Sequence, residues 1–556
     1  MRYQEDAPRG LYYQGRGTAS QPLYRYQEVR DKLPEPVLAG HDAWLGCYEY
    51  AWTLAFSNAR RPAPESGFIS NFVDAAFNQD FFLWDTVFIT MFTDLARPFL
   101  PGIEALDNFY VKQLPDGEIP RELVRQTGAD MEYWVNHRGL PLHSYFHNQY
   151  GFRRLFSQKA PAPEEMYYPD LGRPQDETAY YTLDNLNHPL LAWGELQSFS
   201  QTGNLSRLAE VLPPLLRQYG AMKTLLRHAN GLYVSDWASM DNSPRNRYLG
   251  CALDTSCEMT LFAENLLDII GILERADLCR RDEGLTGSLE RDRAALTEAV
   301  NRLMWDEDRG FYFDLCRDGS RAPVRTAAAF WALAAGIADK TQGERLVQAL
   351  EDPRSFKRLH RTPVCAADEE GYDPRGGYWR GSVWAPINTM ILYGLERYGY
   401  HKLAAGIALN HLDAVARVWE QTGTIWENYP PDSISSADAD KRDFVGWSGI
   451  GPTRYLLRYG IGLAPDAPAL RLNWNPDPAL LRQGPLGCRR FRFGGPEDGG
   501  GFETEIETDL CIRPEGGKLS VTAAANRPYT LVLNLAPRRF TLEVGASPAT
   551  LDLGSL

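Results

Sequence analysis

Two carboxylates in this chain lie close to tryptophan, and their types and positions could do acid–base chemistry. Asp241 stands in "SMDNSPR" (239–245), four residues after Trp237, and Glu427 stands in "WENY" directly after Trp426. A carboxyl group held against an indole loses hydration, which raises its pKa and lets it keep a proton near neutral pH. Hydrolysis of a glycosidic bond needs two carboxyl groups, one to protonate the leaving oxygen and one to activate water or attack.

Each of these carboxylates also has a structural interpretation. An aspartate next to Asn, Ser and Pro usually caps a helix or forms an Asx turn, and Glu427 alone is typical of a surface loop. Arg245 and Trp237 favour the functional interpretation of Asp241, because they would surround it with a polar, aromatic-walled pocket. Two acids that both lie beside tryptophan where a predicted helix ends indicate a pair.

A third cluster, "YDPRGGYWRGSVWAPIN" (372–388), places Trp379, Arg380 and Trp384 after two consecutive glycines. The glycines permit a tight turn before a predicted helix. Arg380 can donate several hydrogen bonds in a fixed fork, which suits sugar hydroxyls or an acid group. The alternative is an arginine that bridges two helices with its stem on apolar surface.

A fourth cluster, "FFLWDTVF" (81–88), opens a predicted helix with Trp84 and Asp85. Asp85 is either an N-terminal cap of that helix or an acceptor for a sugar hydroxyl. The chain also has 14 Trp and 28 Tyr. Their flat apolar faces with a polar atom suit stacking against sugar rings, although packing alone also accounts for them.

Composition excludes several classes of function. The formal net charge is −14 and the basic residues are scattered, which argues against a nucleic acid or an anionic membrane as partner. No stretch approaches the roughly 20 apolar residues of a membrane helix. No HExxH pattern or phosphate-cradling glycine loop occurs, so we expect neither a metal nor a cofactor.

The cysteines and the N-terminal stretch predict a cytoplasmic protein. The eight cysteines are spread along the chain without a CxxC pair, which is typical of free thiols in a reducing compartment. The stretch "MRYQEDAPRG" has charges and proline where a secretory signal needs an apolar run. The sequence does not indicate an oligomeric state.

Hydrophobic periodicity divides the chain into three parts. Residues 1–40 are polar and proline-containing and are predicted as an extended N-terminal arm. Residues 41–462 follow the helical period. Residues 463–556 alternate apolar and polar residues between Gly and Pro, which predicts a β-sandwich-like C-terminal domain. The aromatic, irregular segment 128–183 is long enough to act as a lid and to select the substrate.

The predicted helices of the second part are joined by short connections, so neighbours should pair as antiparallel hairpins. These helices are 41–56, 84–99, 101–113, 188–201, 205–228, 255–278, 289–305, 326–338, 377–399, 403–421 and 443–460. The segments "GLYVSDWAS" (231–239) and "RGFYFDLC" (309–316) indicate short extended pieces at one end of the helical array.

Four motifs in order, "LWDTVF", "SMDNSPR", "GYWRGSVW" and "WENY", together resemble the inverting glycoside hydrolases of family 63, in particular the mannosylglycerate-hydrolase-like members. The resemblance covers about residues 80–460 and includes the phrase "LMWDEDRGFYFD" (303–314). It implies a mainly α fold, an (α/α)₆ toroid of twelve helices in two concentric rings, with the active site at one end of the axis. Residues 41–462 would form this toroid.

The same resemblance implies roles for individual residues. Asp241 would be the general acid and Glu427 the general base of an inverting hydrolysis of a terminal α-linked glucose or mannose. The residues that would line the sugar site are Trp84, Asp85, Trp379 and Arg380, with Arg245, Trp384 and Trp447 as further candidates for the pocket wall. The partner would be a small glycoside or oligosaccharide.

Two alternatives remain at this point. The first is a toroid that binds carbohydrate without catalysis, against which the presence of both acids argues. The second is another carbohydrate reaction on the same fold. A phosphorylase would replace the base by a phosphate pocket, whereas Glu427 is present. A lyase would use Tyr and His, and the stretch "HRGLPLHSYFHNQY" (137–150) supplies both.

Overall fold

The structure is a computed structural model, and it describes most of the chain. The described residues are 21–76, 78–113, 117–128, 188–234, 240, 242–248, 250–316, 318–436, 439, 441–494, 505–516 and 518–555. Asp241, Trp237 and residues 129–183 lie outside them, so the structure does not test the predictions made for these positions.

Helices alternate along the chain between an outer and an inner ring. The outer helices of the described part are α1 (Asp42–Ser57), α3 (Asp107–Tyr110), α5 (Leu205–Leu226), α7 (Glu283–Met304), α9 (Lys340–Glu351) and α11 (His401–Thr422). The inner helices are α2 (Leu83–Thr93), α4 (Leu191–Thr202), α6 (Leu253–Arg275), α8 (Trp331–Ala334), α10 (Ala385–Arg397) and α12 (Gly451–Ile461). 3₁₀ turns precede α3, α8 and α12, and α12 itself is a π-helix.

The inner helices close into a ring. Contacts link α2 to α4, α4 to α6, α6 to α8 and α8 to α10, and the 3₁₀ turn Trp447–Ile450 before α12 completes the circle between α10 and α2. Because an outer helix lies between successive inner ones, all inner helices run in the same direction. Their N-terminal ends therefore lie at one end of the toroid axis and their C-terminal ends at the other.

Burial separates the two rings. Every residue of α2 except Trp84 is buried, as expected of a helix surrounded on all sides. Outer helix α7 buries a stripe that includes Leu289, Leu296 and Val300 and exposes its opposite face. Asp282 caps α7 by accepting from the N–H groups of Gly284 and Leu285.

Helix existence is better predicted than helix bounds. α10 begins at Ala385 and not at residue 377, because Gly381 interrupts the segment and Pro386 fits the first turn of a helix. The predicted helix 101–113 is reduced to a 3₁₀ turn and one helical turn. Helix α9 was not predicted, although the capping box of Asp339 and Gln342 marks its start.

The C-terminal part forms two sheets. The strands are β1 (Glu35–Leu38), β2 (Leu463–Asp466), β3 (Arg471–Trp474), β4 (Leu486–Phe493), β5 (Ile506–Glu515), β6 (Lys518–Ala525), β7 (Tyr529–Leu535), β8 (Arg538–Val544) and β9 (Ala549–Ser555). One sheet has the order β1-β4-β5-β6-β9, all antiparallel, and the other has the order β8-β7-β3-β2 with β7 parallel to β3.

Strand β1 comes from the segment predicted as an N-terminal arm. Glu35 pairs with Arg489 and Leu38 with Leu486 across an antiparallel ladder. A short helix, Tyr26–Val29, and a 3₁₀ turn, Arg30–Lys32, precede it. The chain therefore enters the toroid by first completing the edge of the C-terminal sheet.

Short two-stranded ribbons lie in the connections between helices of the toroid. They pair Ala59–Arg60 with Phe72–Val73, Asp80–Phe82 with Glu122–Val124, and Trp305–Asp306 with Phe311–Tyr312. The third ribbon contains part of the predicted extended piece 309–316. Among the described residues, no helix is long and apolar enough to span a membrane.

Two buried histidines contact each other, one on α11 and the other in the segment that follows α9. His360 Nε2 and His411 Nδ1 are 2.9 Å apart, and both side chains are about 1% exposed. Burial lowers the pKa of His411 to about 3, and burial together with His411 lowers the pKa of His360 well below its usual value. Both imidazoles are therefore neutral in the folded protein at neutral pH.

We predict that these histidines make the fold sensitive to acid. Below about pH 6.5 the unfolded chain binds protons that the folded state does not, so the free energy of unfolding falls by up to about 1.4 kcal/mol per pH unit for each histidine. The stabilisation is fully present above that pH and is lost down to about pH 3 for His411. Urea titrations at pH 7.5 and 5.0 measure the difference.

Substitution isolates the contribution of His411. In His411→Gln the difference between the two pH values should shrink by about 2 kcal/mol, since one titrating group is removed. His401→Gln, at an exposed position at the start of α11, is the matched control and should leave the difference unchanged. An equal difference in wild type and His411→Gln would contradict the assignment.

Candidate active site

Four tryptophans converge at the N-terminal end of the inner ring. Trp84 lies in the first turn of α2, Trp384 is the N-cap of α10, Trp447 opens the 3₁₀ turn before α12, and Trp379 lies in the 3₁₀ turn Tyr378–Arg380. We call these four residues the tryptophan cluster. Every one of them was predicted as a site residue from the sequence.

The rings of the tryptophan cluster form a closed circuit of contacts. Trp379 stacks on Trp384 with ring centroids 4.0 Å apart and planes at 10°, and Trp384 lies 5.6 Å from Trp447. Trp84 meets Trp447 edge to face at 5.6 Å and Trp379 at 6.4 Å. Trp84 is the partly exposed member, so one aromatic face remains available at this end of the axis.

A strained turn directly precedes Trp379 and positions it. Three consecutive residues have positive φ angles, Gly376 at 113°, Gly377 at 54° and Tyr378 at 62°. Glycine adopts such angles without strain, and at Gly377 it is also needed for space, since a Cβ there would lie 2.7 Å from Asp373 Oδ2. A tyrosine with a positive φ angle costs on the order of 1–3 kcal/mol, and residues strained in this way are concentrated at functional sites.

Glu427 lies within this aromatic environment and is 1% exposed. Its main chain is held on both sides, because its N–H donates to the carbonyl of Lys441 at 2.9 Å and its carbonyl accepts from Trp447 Nε1 and Ser448 Oγ, both at 3.0 Å. Its carboxylate Oε1 accepts a hydrogen bond from the Tyr378 hydroxyl at 3.2 Å. The acid is therefore a buried side chain in a fixed position and not a surface loop residue.

Asn242 ties the segment that contains Asp241 to residues 376–380, which include Trp379 and which we call the tryptophan loop. Its Oδ1 accepts from the main-chain N–H of Trp379 at 2.8 Å, and its Nδ2 donates to the carbonyl of Gly377 at 3.2 Å. On the N-terminal side of Asp241, Met240 is buried and its carbonyl accepts from Asn246. The two chain neighbours of Asp241 are thus both anchored at this end of the toroid.

Arg245 faces inward from the same loop. Its guanidinium is buried, donates to Asp254 Oδ1 at 2.8 Å and lies 3.6 Å from Asp314. Asp254 belongs to the first turn of α6, and Asp314 also accepts from the N–H of Leu253 at the start of that helix. These contacts favour a role in fixing the loop onto α6 over a place in the pocket wall.

The other two predicted residues differ in exposure. Arg380 is exposed and contacts its own loop, donating to the carbonyl of Gly371 at 3.2 Å and lying 3.9 Å from Asp373. Its contacts with the described residues do not bridge two helices. Asp85 is buried in the first turn of α2, directly after Trp84. Its carboxylate therefore lies near the positive end of the α2 dipole.

The sequence analysis missed Tyr378 and His188. Tyr378 could have been noted as the aromatic that precedes Trp379, but its bond to Glu427 joins residues 49 positions apart. His188 precedes α4 and pairs with buried Glu258 of α6. Burial alone would lower the pKa of His188, but the charge and hydrogen bond of Glu258 outweigh it, so the pKa is raised.

Several buried polar atoms near the site have no hydrogen-bond partner among the described residues. They are Trp84 Nε1, Trp384 Nε1, His188 Nε2 and both amide atoms of Asn428. Buried polar groups are nearly always paired, and exceptions concentrate where a ligand or bound water completes them. In the described part of the chain, no three His, Cys, Asp or Glu side chains are grouped to hold a metal ion.

Comparison with known proteins was made by family and by structure. The profile of the mannosylglycerate hydrolase MGH1-like glycoside hydrolase domain matches residues 124–448. The chain belongs to this family. The family resemblance inferred from the four motifs is confirmed, and the matched range contains the loop of Asp241, the tryptophan loop and Glu427.

Two curated relatives match this MGH1-like chain in part. Over 305 residues it is 26% identical to an uncharacterized protein of Borreliella burgdorferi, which covers 52% of this chain and 63% of that protein. Over 175 residues it is 30% identical to the mannosylglycerate hydrolase of Rubrobacter radiotolerans, covering 29% and 38% respectively. The matches therefore span less than two thirds of either relative.

A solved structure of the family has the same fold. The mannosylglycerate hydrolase of glycoside hydrolase family 63 from Thermus thermophilus, in complex with glucose, aligns with a TM-score of 0.52 at 19% identity, over 73% of this chain and 99% of that chain. The predicted fold class, an (α/α)₆ toroid with a C-terminal β domain, is confirmed.

We predict that Asn242 contributes to the stability of the site. Asn242→Ala removes the acceptor for the Trp379 N–H and the donor to Gly377, so the free energy of unfolding should fall by about 1–3 kcal/mol. Asn242→Asp retains the acceptor and should lose less. Urea titration followed by tryptophan fluorescence measures both, and equal stability of wild type and Asn242→Ala would show that other contacts hold the two loops together.

Proposed function

We propose that this chain hydrolyses a terminal α-linked sugar from a small glycoside with inversion of configuration. The observation that carries the proposal is the position of Glu427, a carboxylate 1% exposed, held through its main chain and bonded to Tyr378 beside the tryptophan cluster. A buried acid fixed in this way can activate water without spending free energy on reorganisation.

Asp241 is the proposed general acid. The support is its motif, together with the anchoring of its neighbours Met240 and Asn242, the latter to the loop that carries Trp379 and Gly377. In an inverting enzyme the two carboxyl groups stand about 6.5–9.5 Å apart, so that a water fits between the base and the anomeric carbon. Glu427 would take the proton of this water while Asp241 protonates the leaving oxygen.

The tryptophan cluster and the charged residues beside it would hold the sugar. Aromatic faces stack on the apolar face of a pyranose, and the partly exposed Trp84 presents such a face. Asp85 and Arg380 would contact hydroxyls, whereas Arg245 would position the Asp241 loop through Asp254. The name of the relative, mannosylglycerate hydrolase, supports mannose linked to a small organic acid as the substrate.

The cysteines bear on the compartment in which the chain would work. All eight are free thiols, which supports a reducing compartment such as the cytoplasm. Two competing functions use the same fold. A carbohydrate-binding toroid without activity would bind the same sugars and release none. The histidine-rich stretch 137–150, which a lyase would use, lies outside the described residues.

Replacement of either proposed catalytic acid should abolish most turnover. We expect Glu427→Gln and Asp241→Asn each to lower kcat on an α-mannoside or α-glucoside of a small acid by about 100- to 10,000-fold, the usual contribution of general acid–base catalysis. Proton NMR of the first-formed sugar should show the β anomer in the wild-type reaction. Initial formation of the α anomer would refute inversion, and a fully active variant would exclude its residue.

Tyr378 should tune Glu427 without being essential. Tyr378→Phe removes one hydrogen bond to the carboxylate, so we expect kcat to fall about tenfold and the acidic limb of the pH–rate profile to move to higher pH. Tyr372 lies in the same loop as Tyr378, and its hydroxyl donates to Asp432 instead of Glu427. Tyr372→Phe is therefore the matched control and should not shift the pH–rate profile. An unshifted profile in Tyr378→Phe would contradict the role.

A further inference from the structure

A polar cavity lies at the opposite end of the toroid from Glu427. It has a volume of about 270 Å³ and lies where the C-terminal ends of α4, α10 and α12 meet the first strands of the β domain. Gln197, Glu396, Arg454 and Arg458 supply its polar wall, and Tyr393 and Tyr459 supply aromatic faces. This volume is close to the lower limit for small-molecule sites, about 300 Å³.

The length of the inner helices separates this cavity from the tryptophan cluster. Trp384 caps the N-terminus of α10 and Glu396 lies in its last turn. Twelve residues of helix at 1.5 Å each give about 18 Å along the axis. Among the described residues, neither Glu427 nor a member of the tryptophan cluster lines the cavity. The cavity is therefore not part of the site described above.

The charges in the cavity do not balance. Arg458 donates to Glu396 at 2.7 Å, and this pairing outweighs the effect of burial and lowers the pKa of Glu396, so the pair is ionised. Arg454 donates to the carbonyl of Met91 at 2.9 Å and to Gln197 Oε1 at 2.8 Å. Among the described residues, no carboxylate lies within 4.0 Å of Arg454. Two guanidinium groups and one carboxylate leave one positive charge.

The guanidinium of Arg454 lies in the cavity wall and is partly buried. Burial, followed by the neighbouring Arg458, lowers the pKa of Arg454 to about 10, so the group keeps its proton at neutral pH. A partly buried charge that has no directly paired carboxylate among the described residues is unfavourable, and an anion that enters the cavity would offset that cost. A guanidinium matches the geometry of carboxylate and phosphate oxygens with two parallel hydrogen bonds.

The remaining walls suit a hydroxylated molecule. The hydroxyl of half-buried Tyr393 has no hydrogen-bond partner among the described residues. Tyr459 adds an aromatic face, and Tyr459 lies in the same electrostatic network as Arg458 and Glu396. A ligand that pairs its anionic group with Arg454 can give its hydroxyls to these groups and to Gln197.

We propose that this cavity is a binding site for a small hydroxylated oxyanion, a hydroxy carboxylate or a phosphate, separate from the catalytic site. Arg454 supplies the counter-charge, and Arg458 with Glu396 forms the adjacent wall. The competing view is that Arg454 only joins α12 to α2 and α4 through Met91 and Gln197, in which case the cavity holds solvent and prefers no anion.

Calorimetric titration of the full chain distinguishes these views. The probes are lactate, inorganic phosphate and, as a neutral molecule of the same size as lactate, glycerol, all at constant ionic strength in chloride. We expect lactate or phosphate, or both, to bind and glycerol not to bind. Lactate alone identifies a carboxylate ligand, phosphate alone identifies a phosphate ligand, and failure of both anions overturns the proposal.

Substitutions in the cavity locate the binding. Arg454→Met should weaken the anion at least tenfold. Glu396→Gln should tighten it at least threefold, because the cavity then holds two positive charges and no negative one, and a structural role for these residues does not predict tighter binding. Glu351→Gln, which removes a carboxylate paired with Arg361 elsewhere, is the matched control and should change nothing.

The assignment of the anion to this cavity can be tested even if Arg454→Met does not fold. If Arg454→Met does not fold, judged by circular dichroism, the direction of the change in Glu396→Gln is sufficient. Anion binding that is equal in wild type and Glu396→Gln, or weaker in the variant, places the anion elsewhere and refutes the assignment.

Discussion

The main-chain carbonyl of Glu427 is the point on which the geometry of the site depends. It accepts from both Trp447 and Ser448 at the start of the inner turn before α12, while the carboxylate of the same residue accepts from Tyr378 in a different loop. A carboxylate that is 1% exposed is expensive to bury, and it persists only where donors are already in place. Tyr378 donates to this carboxylate, whereas Trp447 and Ser448 donate to the main-chain carbonyl of the same residue, so two separate segments hold Glu427 in place.

Closure of the inner ring explains why these segments meet. Each hairpin returns the chain to the same end of the axis, so residues at the starts of α2, α10 and α12 become neighbours although they are far apart in sequence. Trp84 is the residue of α2 that is not buried. Asn242 then fastens the loop before α6 to Trp379, 137 positions away. The local formation of helices thus sets where the site residues lie, and long-range polar contacts set how their side chains are oriented.

The placement of site residues by helices is predicted from the sequence better than the long-range polar contacts between them. All four members of the tryptophan cluster were named from the sequence, because Trp84, Trp379 and Trp384 stand in the family motifs and Trp447 lies near the start of a predicted helix. The partners of Glu427 and Asn242 were not, since hydrogen bonds between residues 49 to 137 positions apart leave no periodic signal. Arg245 shows the same limit, because the motif identifies the loop but does not reveal that its guanidinium faces Asp254 and Asp314. The starts of inner helices α8, α10 and α12 were also predicted too early, since a fully buried helix has no polar face and its ends are marked only by breakers such as Gly381.

Parallel inner helices also sort charge along the toroid. Each helix carries a partial positive charge at its N-terminus and a partial negative charge at its C-terminus, and the ring adds these in the same direction. Asp85 and Asp254 lie in the first turns of α2 and α6, at the end where anions are favoured. Arg458 lies in the last turn of α12, at the end where cations are favoured. Glu396, in the last turn of α10, is an exception, and Arg458 is the counter-ion that keeps it ionised against both its burial and the dipole. The same arrangement that favours carboxylates at one end of the axis therefore favours guanidinium groups at the other, and the attraction for an anion in the proposed cavity comes from these side chains and not from the helix ends.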